Sequence, residues 1–250
     1  MKPRKVTDKL RDELLALKNS RGSIDDLCFN YLNNFSENAK LTHFSLKGSS
    51  LVKSVAYRQY FVFLISSLET FFRDLFIYVH SIDAELMNKL IEKFKNIDKF
   101  HNSEELSSIE VLSKSFNFQN VNDLENAFYQ LWGANFLDTI CNTSINPCGF
   151  NGKVFQSVCV SNMFPDWKSI FNEAFAIRHK VVHDANFRPD NNMKLAQGAE
   201  SVFLLIPQLT TCFLAKKYKL KSMFLKAEGG DFPYVFSIHD ILAEDWHVTE

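Results

Sequence analysis

IFNEAFAIRHKVVHDANFRPD, residues 170–190, decides how the rest of this chain is read. Ile170, Phe171, Ala174, Phe175 and Val182 recur at helical spacing, so the stretch is an amphipathic helix with one apolar face. Trp167 extends the pattern upstream, and Pro165 suits the first turn of that helix. The helix runs into Arg178-His179-Lys180-Val181-Val182-His183, and a polar loop closed by Pro189 follows at once.

A helix that presents an arginine and a histidine beside a cleft has the parts that phosphodiester cleavage needs. Cleaving RNA without a metal needs three things: activation of the ribose 2′-hydroxyl, protonation of the departing 5′-oxygen, and a cation to offset charge gathering on phosphate. Histidine suits both proton transfers because its unperturbed pKa lies near neutrality. Arginine suits the phosphate because its guanidinium stays charged and can bond bidentately. The spacing imposes a condition, since residues five apart on an ideal helix sit about 140° apart around the axis. His179 and His183, four apart, share a face. Arg178 must therefore reach round, or the helix must fray near His183, or a second subunit must complete the site. A second arginine–histidine pair, Arg73 and His80, also has a polar residue after the arginine, Asp74, and its ends share a helical face. That pair reads as structural.

Working outward, most of the chain reads as helix. Residues 192–218 form a second long apolar helix with a kink expected at Pro207. Residues 51–81 carry a wide apolar stripe (Phe61, Leu64, Ile65, Leu68, Phe71, Phe72, Leu75, Phe76, Val79), which predicts a central helix packed on several sides. Asp83 caps a helix over 83–94, a short helix is expected within 104–115, and cap-type residues open another over 120–131. Residues 135–141 continue as a short helix. At the N-terminal end, 6–18 and 24–33 are helical, whereas 36–50 is polar and reads as a loop. Residues 142–160 hold Pro147, Gly149 and Gly152 and read as a loop or small hairpin insertion. The expected organisation is an N-terminal helical extension over 1–50, a helical domain over 51–218, and a tail over 219–250 that packs on it. The tail has no assigned fold.

Composition sets limits on partners. Lys+Arg of 28 against Asp+Glu of 29 leaves no global basic excess, so any RNA contact must come from a local patch. Twenty-five phenylalanines with 8 Gly and 6 Pro favour a packed helical domain. Cys28, Cys141, Cys148, Cys159 and Cys212 are scattered and odd in number, suggesting neither a zinc site nor a disulfide framework, and a cytoplasmic setting is expected. No leader is read at the start, and the apolar stretch 60–79 is broken by Glu69, Arg73 and Asp74, so no membrane association is expected.

The motif, an arginine with a polar neighbour and then a histidine, resembles the R-x(4–6)-H signature of the HEPN superfamily of metal-independent endoribonucleases. The resemblance extends over residues 51–218 through helix order. An early helix holds an acid amid apolar residues, Leu68-Glu69-Thr70-Phe71-Phe72. A short helix of the type NVNDLENAFYQLWG (120–133) follows, then a spacer, the helix with the motif, and a last long helix. This layout is similar to the abortive-infection and RNase L-type branches. The resemblance implies an all-α HEPN-like bundle that acts as a homodimer and brings two motifs into one cleft. It implies that His183 serves as general acid or base, Arg178 binds the scissile phosphate, and His179 and Glu69 support them, with no cofactor or metal. One departure is plain: where toxins paired with nucleotidyltransferases place a tyrosine two residues after the histidine, this chain has Ala185. Control by adenylylation at that position is not expected.

The reading that follows is an endoribonuclease acting on tRNA, mRNA or rRNA, in the manner of a toxin or anti-phage defence effector, with an antitoxin or defence-system protein as partner. The alternative is a non-catalytic HEPN-type dimerisation or nucleotide-binding module of a larger complex. Arg178 and His183 would then be a surface arginine and a helix-end histidine.

Overall fold

The computed structural model describes residues 22–93, 108–133, 135–144, 156, 159–184, 186–190, 192–225 and 235–243. Its described part is all-α, with ten helices and no strand. In chain order they are α1 (Ile24–Ser45), α2 (Ser50–Ile82), α3 (Ala84–Lys93), α4 (Ser108–Ser113), α5 (Val121–Trp132), α6 (Phe136–Asn142), α7 (Val160–Met163), α8 (Trp167–His183), α9 (Met193–Tyr218) and α10 (Ile238–Leu242). The helix expected over 6–18 and the insertion within 142–160 fall on residues outside the described set or largely so. The chain divides into two compact units, one of Met1–Leu27 with Glu69–Phe136, the other of Cys28–Leu68 with Leu137–Glu250.

Aromatic rings fill the core of the first unit. Phe72 and Phe76 of α2 meet Phe128 of α5 at centroid distances of 5.9 and 6.2 Å, and Phe136 lies 4.8 Å from Phe128. These pairings take tilted or edge-to-face geometries, the arrangements ring quadrupoles favour. Phe118, fully buried between Phe76 and Phe128, has a left-handed backbone (φ 51°). A phenylalanine accepts that conformation here because its ring fills the core. Asn120 caps α5 by accepting from the Asp123 N–H, and Asp83 caps α3 by accepting from the Leu86 N–H, as expected from the sequence.

In the second unit α8 packs on α9. Phe171 meets Phe203 edge-on at 4.5 Å, and Gly198 lets the helices approach so closely that a Cβ there would stand 3.0 Å from the Ile170 δ-methyl. Pro207 lies inside α9 and cannot donate to the carbonyl of Phe203. Tyr31 of α1 donates its hydroxyl to that carbonyl at 2.8 Å, satisfying the acceptor the proline leaves free. The tail has an anchor in the same helix. The Gln208 side chain accepts from the Phe236 N–H at 2.7 Å and donates to the Phe236 carbonyl at 3.1 Å. Ser237 and Asp240 form a capping box for α10, and Ser36 donates to the Ile241 carbonyl.

Two expectations are corrected. Residues 36–50 are not a loop: α1 continues to Ser45, and only a four-residue turn separates it from α2. The polar run misled because Phe35, Ser36, Ala39 and Thr42 form the buried face, so two of its inward positions are hydroxyls. Pro165 is not in the first turn of α8 but precedes its N-cap, Asp166. Among the described residues one helix, α9, is long and apolar enough to cross a membrane, and 72 % of its most apolar window is buried within the fold.

Candidate functional site

The motif sits at the C-terminal end of α8. Trp167, Ile170, Phe171, Ala174, Phe175 and Ile177 bury one face of this helix, and that face fixes where the remaining residues project. The helix holds through His183, its last residue, and the Asp184 N–H donates to the Lys180 carbonyl at 2.8 Å. Fraying near His183 therefore does not occur. On an unbroken helix Arg178 and His183 diverge by about 140°. Arg178 is half-buried with its Nε sealed from solvent, whereas His179, Lys180 and His183 are exposed.

The structure does bring the two histidines together. The His179 and His183 rings lie with centroids 4.6 Å apart, tilted by 52°. Lys180 holds its ammonium 5.4 Å from the centre of the Phe187 ring. Sequence reading passed over Lys180, although the run Arg-His-Lys could have drawn attention to it.

The segment after His183 has its own scaffold. Asp184 accepts from the Asn186 N–H through Oδ1 at 2.9 Å, and the Phe187 N–H donates to the Asp184 carbonyl at 3.0 Å. At the far end Asn192 caps α9 by accepting from the Leu195 N–H, and Tyr57 donates its hydroxyl to the Asn192 carbonyl at 3.0 Å. Burial pushes the Tyr57 phenol up to about 12, so it remains a donor at any ordinary pH. The loop behind the histidines is thus pinned at both ends.

Glu69, expected to support the site, is buried on α2 and belongs to the first unit. The rival pair is in the same unit. His80 is 4 % exposed, its ring lies 4.2 Å from that of Phe76, and its Nδ1 sits 2.7 Å from the Phe76 carbonyl. The Arg73 guanidinium lies 5.7 Å from the Phe118 ring centre. His80 is sealed in the core, in keeping with a structural role.

A cleft of about 410 Å³ runs between α8 and the start of α9, lined by Asp166, Ser169, Glu173, Asn192, Lys194 and Gln197 among others. It includes neither Arg178 nor His183. Among the described residues no three of His, Cys, Asp and Glu converge as a metal site would need. What α8 offers is a pair of exposed imidazoles at its C-terminal end. Such a set can take up and release protons beside an approaching phosphodiester. No family model, no curated protein and no solved structure matches this chain.

Proposed function

We propose that the protein is a metal-independent endoribonuclease of HEPN type, acting as a homodimer on tRNA, mRNA or rRNA, as a toxin or defence effector. The observation that carries this reading is the His179–His183 ring pair, exposed at the end of α8, the helix that also carries Lys180 and half-buried Arg178. In the proposed reaction a histidine accepts the ribose 2′-hydroxyl proton while the 2′-oxygen attacks phosphorus. The P–O5′ bond breaks, and a protonated imidazole delivers the proton to the departing oxygen. The products are a 2′,3′-cyclic phosphate and a 5′-hydroxyl end. His183 is the acid or base, Arg178 binds the phosphate, and His179 acts in support. A second copy supplies the arginine that the 140° divergence keeps from its own His183.

The same divergence favours a second reading, a non-catalytic HEPN-type dimerisation or nucleotide-binding module of a larger complex. Cleavage of purified tRNA and total RNA in EDTA separates the two. Wild type and Arg73→Ala should cut, and His183→Ala should lose on the order of 10² or more in rate, as expected when a general acid or base is removed. His183→Ala cutting at the wild-type rate, on RNA that wild type cleaves, defeats the assignment. Loss in Arg73→Ala alone, with that variant folded, moves the chemistry to the first unit.

A further inference from the structure

We propose that the groove between α1 and α2 in the second unit is a docking site for an acidic amphipathic helix of a partner protein. The groove holds about 380 Å³ and is lined by Leu41, Leu51, Val52, Val55 and Phe63, with few polar groups among its walls. These are not core residues. Leu41 is 59 % exposed, Leu51 72 % and Phe63 44 %, and Phe44 beside them is 73 % exposed. Exposed apolar surface concentrated in one place is the usual mark of an interaction site, whereas scattered single residues mean nothing. From Leu51 to Phe63 the α2 wall spans roughly 18 Å at 1.5 Å per residue, three turns of a helix laid alongside. That length accommodates anchors at i, i+4 and i+7 of a bound helix.

The charge around the groove identifies the occupant. Residues 38–68 contain Lys40, Lys47, Lys53 and Arg58 and no aspartate or glutamate. Lys53 and Arg58 fall on opposite sides of the α2 groove face. Three carboxylates reach this stretch from elsewhere: Glu173 and Asp190 act on Tyr57, and Glu200 is engaged by Tyr60, which donates to it at 2.9 Å, with His43 Nε2 3.0 Å from the same oxygen. A second copy docked face to face would set Lys53 and Arg58 against the same two cations of its partner. An amphipathic helix with glutamates flanking its apolar stripe meets both the walls and these cations. The inference is independent of the ribonuclease reading.

The test is fluorescence anisotropy of the full chain with a fluorescein-labelled helix of about 14 residues, leucines on one stripe and glutamates on the flanks. A scrambled peptide of equal composition is the control. The designed helix should bind and the scramble should not. Val55→Glu and Leu51→Glu, both at exposed positions, should weaken binding by about tenfold or more. Lys53→Glu should cost less, by an amount that shrinks at high salt. Equal binding of the two peptides, or an unaltered affinity in Val55→Glu, overturns the proposal. Sedimentation with phosphatidylserine vesicles that Val55→Glu abolishes, without peptide binding, would assign the surface to membranes instead. A concentration-dependent dimer abolished by Val55→Glu, without peptide binding, would assign it to self-association. Circular dichroism of each variant verifies that the helices remain.

Discussion

His80 shows how a residue that sequence spacing offers for chemistry can be claimed by the core. Its Nδ1 lies against the Phe76 carbonyl, and burial holds its pKa below the ordinary value of 6.5. The unfolded chain therefore binds a proton near pH 6.5 that the folded chain refuses. Unfolding becomes easier as pH falls below 6.5, and the loss continues until the lowered folded pKa is reached. Above 6.5 the residue contributes no pH dependence. His80→Phe keeps an aromatic ring beside Phe76 and removes the titration. Denaturant midpoints at pH 8 and pH 5 should therefore drop further for wild type than for His80→Phe. Equal drops would show that this imidazole is not kept neutral. The sequence could state that Arg73 and His80 share a helical face. It could not state that the face points inward, because that depends on Phe116, Phe118 and Phe128 arriving from 40 to 52 residues beyond Phe76.

At the scale of elements, α9 illustrates how a helix tolerates its own worst residue. Pro207 removes one hydrogen bond, and a proline in a helix interior costs about 3 kcal/mol or more when nothing compensates. The compensation comes from α1: Tyr31, 2 % exposed, directs its hydroxyl at the orphaned Phe203 carbonyl. Desolvation raises the Tyr31 phenol well above its ordinary value, so the donor proton is secure. Tyr31→Phe should cost about 1–3 kcal/mol, the penalty for a buried acceptor left unsatisfied, with little change in shape. Pro207→Ala should restore the backbone donor, so Tyr31→Phe in that background should cost less. Additive effects in this double-mutant cycle would deny the coupling. The long helices were legible because apolar periodicity alone specifies them. The extent of α1 was not, since its second half exposes Leu41 and Phe44 and buries Ser36 and Thr42, the reverse of the pattern that marks a core helix. The inversion that hid this half of the helix is also what makes the surface there a candidate interface.

Across the whole molecule, the all-α class followed from composition and periodicity, while the geometry of the candidate site turned on one question the sequence left open. Arg178 and His183 could meet by fraying, by reach, or through a second copy, and α8 stays regular to His183. Reach and a second copy remain, and they differ in what mixed variants can do. Under the proposed ribonuclease reading, Arg178→Ala and His183→Ala should each lose on the order of 10² or more in cleavage rate. In a two-fold symmetric dimer whose sites take arginine from one copy and histidine from the other, a mixed dimer of the two variants keeps one site with both groups and one with neither. Random reassortment places half the chains' dimers in that mixed form, each with half its sites intact. An equimolar mixture, unfolded together and refolded, should then recover about a quarter of wild-type cleavage. If each copy instead folds Arg178 round to its own His183, every site in every dimer lacks one group, and mixing recovers nothing. Recovery that depends on total protein concentration would further tie it to association, since a dimer forms by mass action. Absence of recovery, with both variants folded and wild type active, would place the site within one chain and force Arg178 to leave its half-buried position on binding RNA.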